Sequence, residues 1–264
     1  MKCFKFWVRE VRNIRVGDAR QAITLVAGSN VSKEDASLNA GRLASAIEER
    51  IQNPKQRRES YEADIKEHIV SEINPANIIT VNRYGAQVLN TTEYTILDID
   101  KYVPSFLDLF RKGKGSTKDK IVDRFKKRIA RYPEVGDSFR IYETCQGIRI
   151  IGKTYFDPQA KNFVSIMRSL NVDCLYCTLS RKQNCYRARL TPKPYRMKME
   201  TIRIKTPLDC ETEAFDVWQK KYAKNAQRYS VVTLLETIGK DFGDDPVVML
   251  HDHMTGMRSG NPLA

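Results

Sequence analysis

Two aspartates one residue apart, Asp98 and Asp100, close the run Tyr94-Thr95-Ile96-Leu97-Asp98-Ile99-Asp100. Side chains alternate along a strand, so both carboxylates fall on one face about 7 Å apart, with Ile99 on the other. Like charges at that spacing repel, and a divalent cation between them lets both stay ionised. The chemistry this offers is binding of Mg²⁺ or Mn²⁺ and, through the ion, of a phosphate. The same pair would serve equally as a solvated strand end leading into a helix. A second apolar run, residues 139–151, carries Arg149. Further on, Arg187-Ala188-Arg189-Leu190-Thr191-Pro192-Lys193-Pro194 sets two guanidiniums two residues apart before a stiff loop with Lys193. If that segment is extended, Arg187 and Arg189 share a face suited to bidentate phosphate contact. The other reading is a solvated basic edge strand. With Arg149 nearby in a sheet, a phosphate or triphosphate pocket opposite the Asp pair is physically coherent.

Residues 111–131 hold ten Lys or Arg against two Asp. Gly113 and Gly115 break the stretch, which predicts a loop over 111–118, mobile without ligand, carrying Lys112 and Lys114. A cationic helix over 118–131 follows, with Lys126, Lys127 and Arg128. Together they suit a nucleic-acid backbone, or simply a solvated face. Cys174-x-x-Cys177 with Cys185 offers three of the four ligands a structural zinc wants, and buried thiols are the competing explanation. His251-Asp252-His253 would set both imidazoles on one strand face, where Asp244 or Asp245 and the Asp pair would join them around a metal if the tail folds back. No Gly-x-x-x-x-Gly-Lys-Ser/Thr loop and no Gly-x-Ser-x-Gly elbow occurs.

The elements that must position these groups follow from the chain. Its 264 residues suffice for one large domain. Apolar residues at 41% and charged residues at 29% describe an ordinary globular protein. The net charge of +13 speaks to partners, nucleic acid or nucleotides first. No run approaches the roughly 18 apolar residues of a membrane span, and the N-terminus lacks a signal-peptide pattern. Six dispersed cysteines suit reduced thiols, so a cytoplasmic location is expected. Residues 2–10 read as a strand or arm and 23–27 as a short strand. Helices are expected over 33–52, opened by Ser32, and over 59–73. A hairpin turns at Gly85, residues 94–100 form the acidic strand, a helix starts at Ser105, and a second hairpin turns near residues 145–147. A helix opens at Pro158, 201–205 reads as a strand, and 211–227 reads as a helix. The expected fold is one α+β domain over 1–264 around a mainly antiparallel sheet with flanking helices. Residues 1–76 would be an N-terminal helical extension, 77–210 the core sheet, and 211–264 a C-terminal helical or tail segment.

This layout, with the Asp-x-Asp strand followed by Thr144 and Gly147 in a turn, resembles the catalytic core of the archaeo-eukaryotic primase-like superfamily over about residues 78–210. The resemblance implies an RRM-like sheet, metal at Asp98 and Asp100, and nucleotidyl transfer. That family has a histidine roughly where Arg149 stands here. For that family's third acidic residue the resemblance offers Asp209. The phrases Asn82-Arg83-Tyr84-Gly85-Ala86-Gln87-Val88-Leu89-Asn90-Thr91, Tyr142-Glu143-Thr144 and Tyr186 to Pro194 are also similar to an uncharacterised bacterial family. That likeness implies a complete protein and supplies no function.

Two functional readings lead. One is a metal-dependent nucleotidyl- or phosphoryl-handling enzyme, with Asp98, Asp100 and Arg149 catalytic and Arg187, Arg189 and Lys193 on phosphates. The alternative is a non-catalytic, basic nucleic-acid-binding protein on the same sheet. A third is an interaction protein whose basic face meets an acidic partner.

Overall fold

In a computed structural model of the chain, residues 1–53, 64–102 and 116–264 are described. The chain opens with two eleven-residue strands, β1 (Phe6–Val16) and β2 (Ala19–Ser29), paired antiparallel over their whole length. Helix α1 (Lys33–Gln52) covers one face of this ribbon. The Ser32 side chain caps α1 by accepting from the Asp35 N–H at 3.2 Å, with Glu34 and Asp35 in the first turn. Ala36, Ala40 and Ala44 are its buried positions, and Ala44 packs with Ile14 and Leu25. Small side chains at that spacing let the helix lie close on the ribbon.

β3 (His68–Asn74), β4 (Asn77–Val81) and β5 (Gln87–Thr91) follow as an antiparallel meander. Then come β6 (Thr95–Ile99), α2 (Thr117–Ile129), and the hairpin β7 (Phe139–Thr144) and β8 (Ile148–Gly152). Two short helices, α3 (Phe163–Ser169) and α4 (Cys174–Gln183), lead into β9 (Tyr186–Arg189). The chain continues through α5 (Glu213–Ala226), β10 (Val232–Ile238) and α6 (Pro246–Met254). The strands make two four-stranded sheets, β10-β7-β8-β6 and β3-β4-β5-β9. In the first, β8 lies antiparallel between β6 and β7, a split β-α-β unit with α2 in the crossover. β10 adds to the β7 side. The fold is α+β and its sheets are antiparallel, as the sequence implies.

The inner strands β7 and β8 of the first sheet are buried on both faces, while β10 at its edge alternates buried or half-buried with exposed positions. On one face Phe125 of α2 meets Phe139 edge-on, with ring centroids 5.2 Å apart. On the other, α6 presses Val247, Val248 and His251 inward. One apolar cluster joins the sheets, taking Ile79, Leu89 and Ala188 from the second and Ile96 and Ile150 from the first. Among the described residues no helix is long and apolar enough to cross a membrane.

Several expected elements differ. Residues 68–74 form strand β3, not the end of a helix over 59–73. Ile65, Ile69 and Ile73 repeat every four residues, but irregularities in the β3–β4 register between Ile69 and Ser71 and between Glu72 and Asn74 break the strand alternation and disguise it. The described residues up to 76 therefore form a ribbon, α1 and a strand of the second sheet in place of the expected helical extension. Residues 201–205 run as irregular chain, anchored where the Ile204 N–H donates to the Arg83 carbonyl at 2.9 Å. His251 and His253 lie on a helix, opened by Asp245 and Pro246, not on a strand. The helix expected from Ser105, and the stretch 111–115 with Lys112 and Lys114, lie outside the described residues.

Candidate functional site

Asp98 is the fourth residue of β6 and sits directly opposite Arg149 of β8. Opposed residues in an antiparallel pair share a face, and the Asp98 carboxylate lies 3.5 Å from Arg149 Nε. Arg149 is almost wholly buried (2% exposed) while the Asp98 side chain keeps about a third of its surface. Arg149 Nη1 donates to the Arg189 carbonyl at 2.8 Å, tying the first sheet to the second. The same nitrogen stands 3.4 Å from His251 Nε2.

From there a line of charges crosses the sheet. His251 Nδ1 and Asp252 Oδ1 are 2.9 Å apart, which fixes the proton on Nδ1 and leaves Nε2 as acceptor toward Arg149. Asp252 also accepts from Arg140 Nη2 at 2.9 Å, and Arg140 reaches Asp241 and, at 2.8 Å, the Tyr142 hydroxyl. Burial holds the His251 pKa below its usual value, and Arg149 and Arg140 add to this against the pull of Asp252. His251 is thus a neutral spacer between two guanidiniums. A cleft of about 1000 Å³ opens at the far end, lined by Arg140, Asp241, Asp244, Asp252 and His253.

The sequence-chosen arginines do not converge as a phosphate pocket. Arg187 is committed to Glu67, whose carboxylate also accepts from the Thr80 hydroxyl at 2.6 Å. Arg189 donates to the Thr191 carbonyl at 2.8 Å, and burial together with Arg149 lowers its pKa to about 10. These are structural cations of the second sheet. β5 and β9 pair Asn90 with Arg187 and Val88 with Arg189. Two of the sequence phrases singled out for their similarity to one family, residues 82–91 and 186–194, are thereby neighbours in space.

Asp100 lies just past β6, open to solvent as a residue but with its carboxyl partly desolvated by its neighbours. Its carboxyl is held above the usual aspartate value by burial and by the Asp98 charge, with Asp173 adding to this and Lys193 and Arg196 opposing it. Asp173 caps α4, accepting from the Tyr176 N–H at 2.8 Å, while its own N–H donates to the Asp98 carbonyl at 3.3 Å. Gly147 seats the β7–β8 turn here: a Cβ on it would come within 2.2 Å of the Ile99 carbonyl and 2.7 Å of Asp100 Cα. The edge at the carboxyl end of β6 thus gathers three aspartates, Lys193 and Arg196. Tyr195 stands exposed between the two cations, which pack over its ring at 5.8 and 5.9 Å. Among the described residues, no group of three or more His, Cys, Asp or Glu side chains is placed to hold a metal ion. Asp209 is engaged elsewhere, with Arg9 at 2.8 Å and with the backbone of Lys205 and Thr206. Cys177 and Cys185 are buried, and Cys174 is exposed.

Helix α2 carries the basic stretch. Ser116 and Asp119 form a reciprocal cap at its start. Lys126 pairs with Glu236 at 2.5 Å, and Arg128 donates to the Ser169 carbonyl. Lys127, by contrast, is exposed, as are Lys120 and Arg131 just past the helix end, and none of the three has an ion-pair partner among the described residues. With Arg124, whose guanidinium lies 5.5 Å over the Tyr102 ring, they recur at intervals of four, three and four. That spacing makes one outward stripe, away from buried Ile121, Val122, Phe125 and Ile129.

Asp173, Tyr195 and Arg196 were not evident in sequence. Arg196 follows Lys193 in a proline-bounded loop, and only the fold brings both beside Asp100. A scan against protein-family models matches none, and searches of curated proteins and of solved structures find no match.

Proposed function

We propose that this protein binds nucleic acid through its phosphate backbone, with the outward stripe of α2 as the principal contact. The observation that carries this reading is the exposure of Lys120, Lys127 and Arg131 along one side of α2 without carboxylate partners among the described residues. Basic residues placed along a helix, on a chain of net charge +13, are the electrostatic footprint of a polyanion site. The test is the salt dependence of oligonucleotide binding. Each phosphate contact on a duplex contributes about −0.9 to the slope of log K against log salt. Replacing Lys120, Lys127 and Arg131 with Ala should weaken binding on all sequences alike and make that slope shallower by roughly 2 to 3. An unchanged slope would remove α2 from the interface.

A second reading has one observation in its favour. Asp98, Asp100 and Asp173 crowd the same edge as Lys193 and Arg196, and the Asp100 pKa is raised first by desolvation and then by the Asp98 charge. Mg²⁺ or Mn²⁺ would offset that charge, with Lys193 and Arg196 placed for the phosphates of a nucleotide, as in metal-assisted phosphoryl or nucleotidyl transfer. Thermal melting with Mg²⁺ or Mn²⁺, with and without a nucleoside triphosphate, tests this. A shift only when metal and nucleotide are both present favours the enzyme, and no shift favours a binding protein.

A further inference from the structure

The β1–β2 ribbon has two faces of different character. Glu10 and Leu25, Arg12 and Ile23, and Ile14 and Gln21 are opposed pairs on the face that α1 covers. The alternate pairs, Val11 with Thr24, Asn13 with Ala22 and Arg15 with Arg20, lie on the other face and are all exposed. Val11 keeps 67% of its surface. Only the base of this outer face is covered: Trp7 is buried beside Phe4, and Arg9 is bound to Thr206 and Asp209. The outer half ends at the tight turn Gly17-Asp18, with Gly17 at φ +62°.

Arg15 and Arg20 stand directly opposite each other. Like charges in that position destabilise a strand pair. Arg15 Nε donates to the Gly17 carbonyl at 3.1 Å, but neither guanidinium has a carboxylate partner among the described residues. Folding gains nothing from this pair, and an anionic or acceptor-rich ligand would relieve it. The neighbouring exposed types, Asn and Thr beside Arg, are those that read base edges: Arg on guanine O6 and N7, Asn on adenine N6 and N7, and Thr or an apolar group on the thymine methyl. A two-stranded ribbon also fits a B-DNA major groove, about 12 Å wide, and the outer pairs span roughly four residues at about 3.3 Å each.

We propose that the outer half of the β1–β2 ribbon is a duplex-reading element that enters the major groove and contacts bases through Asn13, Arg15, Arg20 and Thr24. This rests on the reading that the protein binds nucleic acid, but on residues separate from α2. The stripe would supply affinity and the ribbon sequence preference.

The test uses the full chain and a pool of short DNA duplexes with randomised centres, with single strands of the same composition as a second probe. The parent protein should enrich particular centres and prefer duplex over single strand. Arg15→Ala with Arg20→Ala should abolish enrichment and lower affinity for the selected duplex about five- to a hundred-fold per lost bidentate contact. Without nucleic acid, the melting temperature of this variant should be unchanged or raised at low salt, which separates lost contacts from lost folding. The triple α2 variant should bind all duplexes more weakly yet enrich the same centres. Binding without enrichment, enrichment that survives the double substitution, or preference for the single strand would each overturn the ribbon proposal and leave the α2 reading standing. If the parent binds neither probe, the nucleic-acid reading falls and this one with it. If the ribbon variant loses enrichment while the α2 variant binds as the parent does, the ribbon stands and α2 drops out.

Discussion

Asp98 and Asp100 are alike in sequence and unlike in circumstance. Asp98 compensates a buried guanidinium, and Asp100 suffers from partial desolvation of its carboxyl and from its neighbour's charge. Single Asn substitutions should therefore act with opposite signs in chelator. Asp98→Asn should destabilise by roughly 1–3 kcal/mol, because Arg149 loses its only carboxylate among the described residues. Asp100→Asn should be neutral or slightly stabilising, since the charge it removes is disfavoured in the fold. Urea titrations of both variants decide this, and equal losses would contradict it. His251 gives a pH prediction. Its pKa is lowered in the folded state, so the unfolded chain takes up a proton first as pH falls. The contribution of neutral His251 is complete above the unfolded value of about 6.5 and is lost below it, at up to about 1.4 kcal/mol per pH unit. His251→Phe should be less stable at neutral pH, leaving Arg149 and Asp252 short of a partner, but should show a flatter stability profile between about pH 6.5 and 5. Melting curves of parent and variant across that range make the comparison.

At the scale of elements, α4 links secondary structure to the acidic edge. Asp173 caps the helix and also adds charge beside Asp100. Asp173→Asn keeps a capping oxygen and should leave stability near the parent's, whereas Asp173→Ala should cost about 1 kcal/mol. Chemical denaturation of both variants separates cap from charge. Legibility in the sequence tracked how local each element's cause is. Helix α1 was readable because Ser32, the acidic first turn and the alanine spacing all lie within it. The hairpins at Gly85 and Gly147 were readable because their turns are. β3 was not, because its identity rests on pairing with β4 through an irregular register. α6 carried its own signal in Asp245-Pro246, yet the apolar run after it resembles a strand. The site divided the same way. Strand alternation alone gave the expectation that Asp98 and Asp100 share a face. That Arg187 would be taken by Glu67, or that His251 would reach Arg149, depended on contacts more than a hundred residues apart in sequence.

Across the whole molecule, the two four-stranded sheets behave as one body because polar and apolar contacts cross between them together. Arg149 of β8 donates to the Arg189 carbonyl of β9, and the Tyr186 hydroxyl of β9 donates to the Phe156 carbonyl in the loop that follows β8. One apolar cluster spans both sheets, and the second sheet adds smaller clusters around Val81 and around Ile65. The ribbon and α1 instead share a separate small cluster around Ile14, Leu25 and Ala44. Their ties to the rest run through the base of the ribbon: the Arg9 contacts, the Cys3–Ile65 bridge and the Lys5–Glu72 ion pair. The chain has two tryptophans, Trp7 at the ribbon base and Trp218 on α5. In the Trp7→Phe variant, urea unfolding followed by Trp218 fluorescence should coincide with the main circular-dichroism transition, since a shared core unfolds in one step. Amides of the outer ribbon, residues 11–24, should exchange faster than those of β7 and β8, because a two-stranded unit with few buried contacts opens locally first. Distinct transitions for the two sheets would break the single-body picture. Ribbon amides protected as strongly as the central strands in the free protein would show instead that the ribbon is bound into the core, and would take away the free outer face that base reading needs.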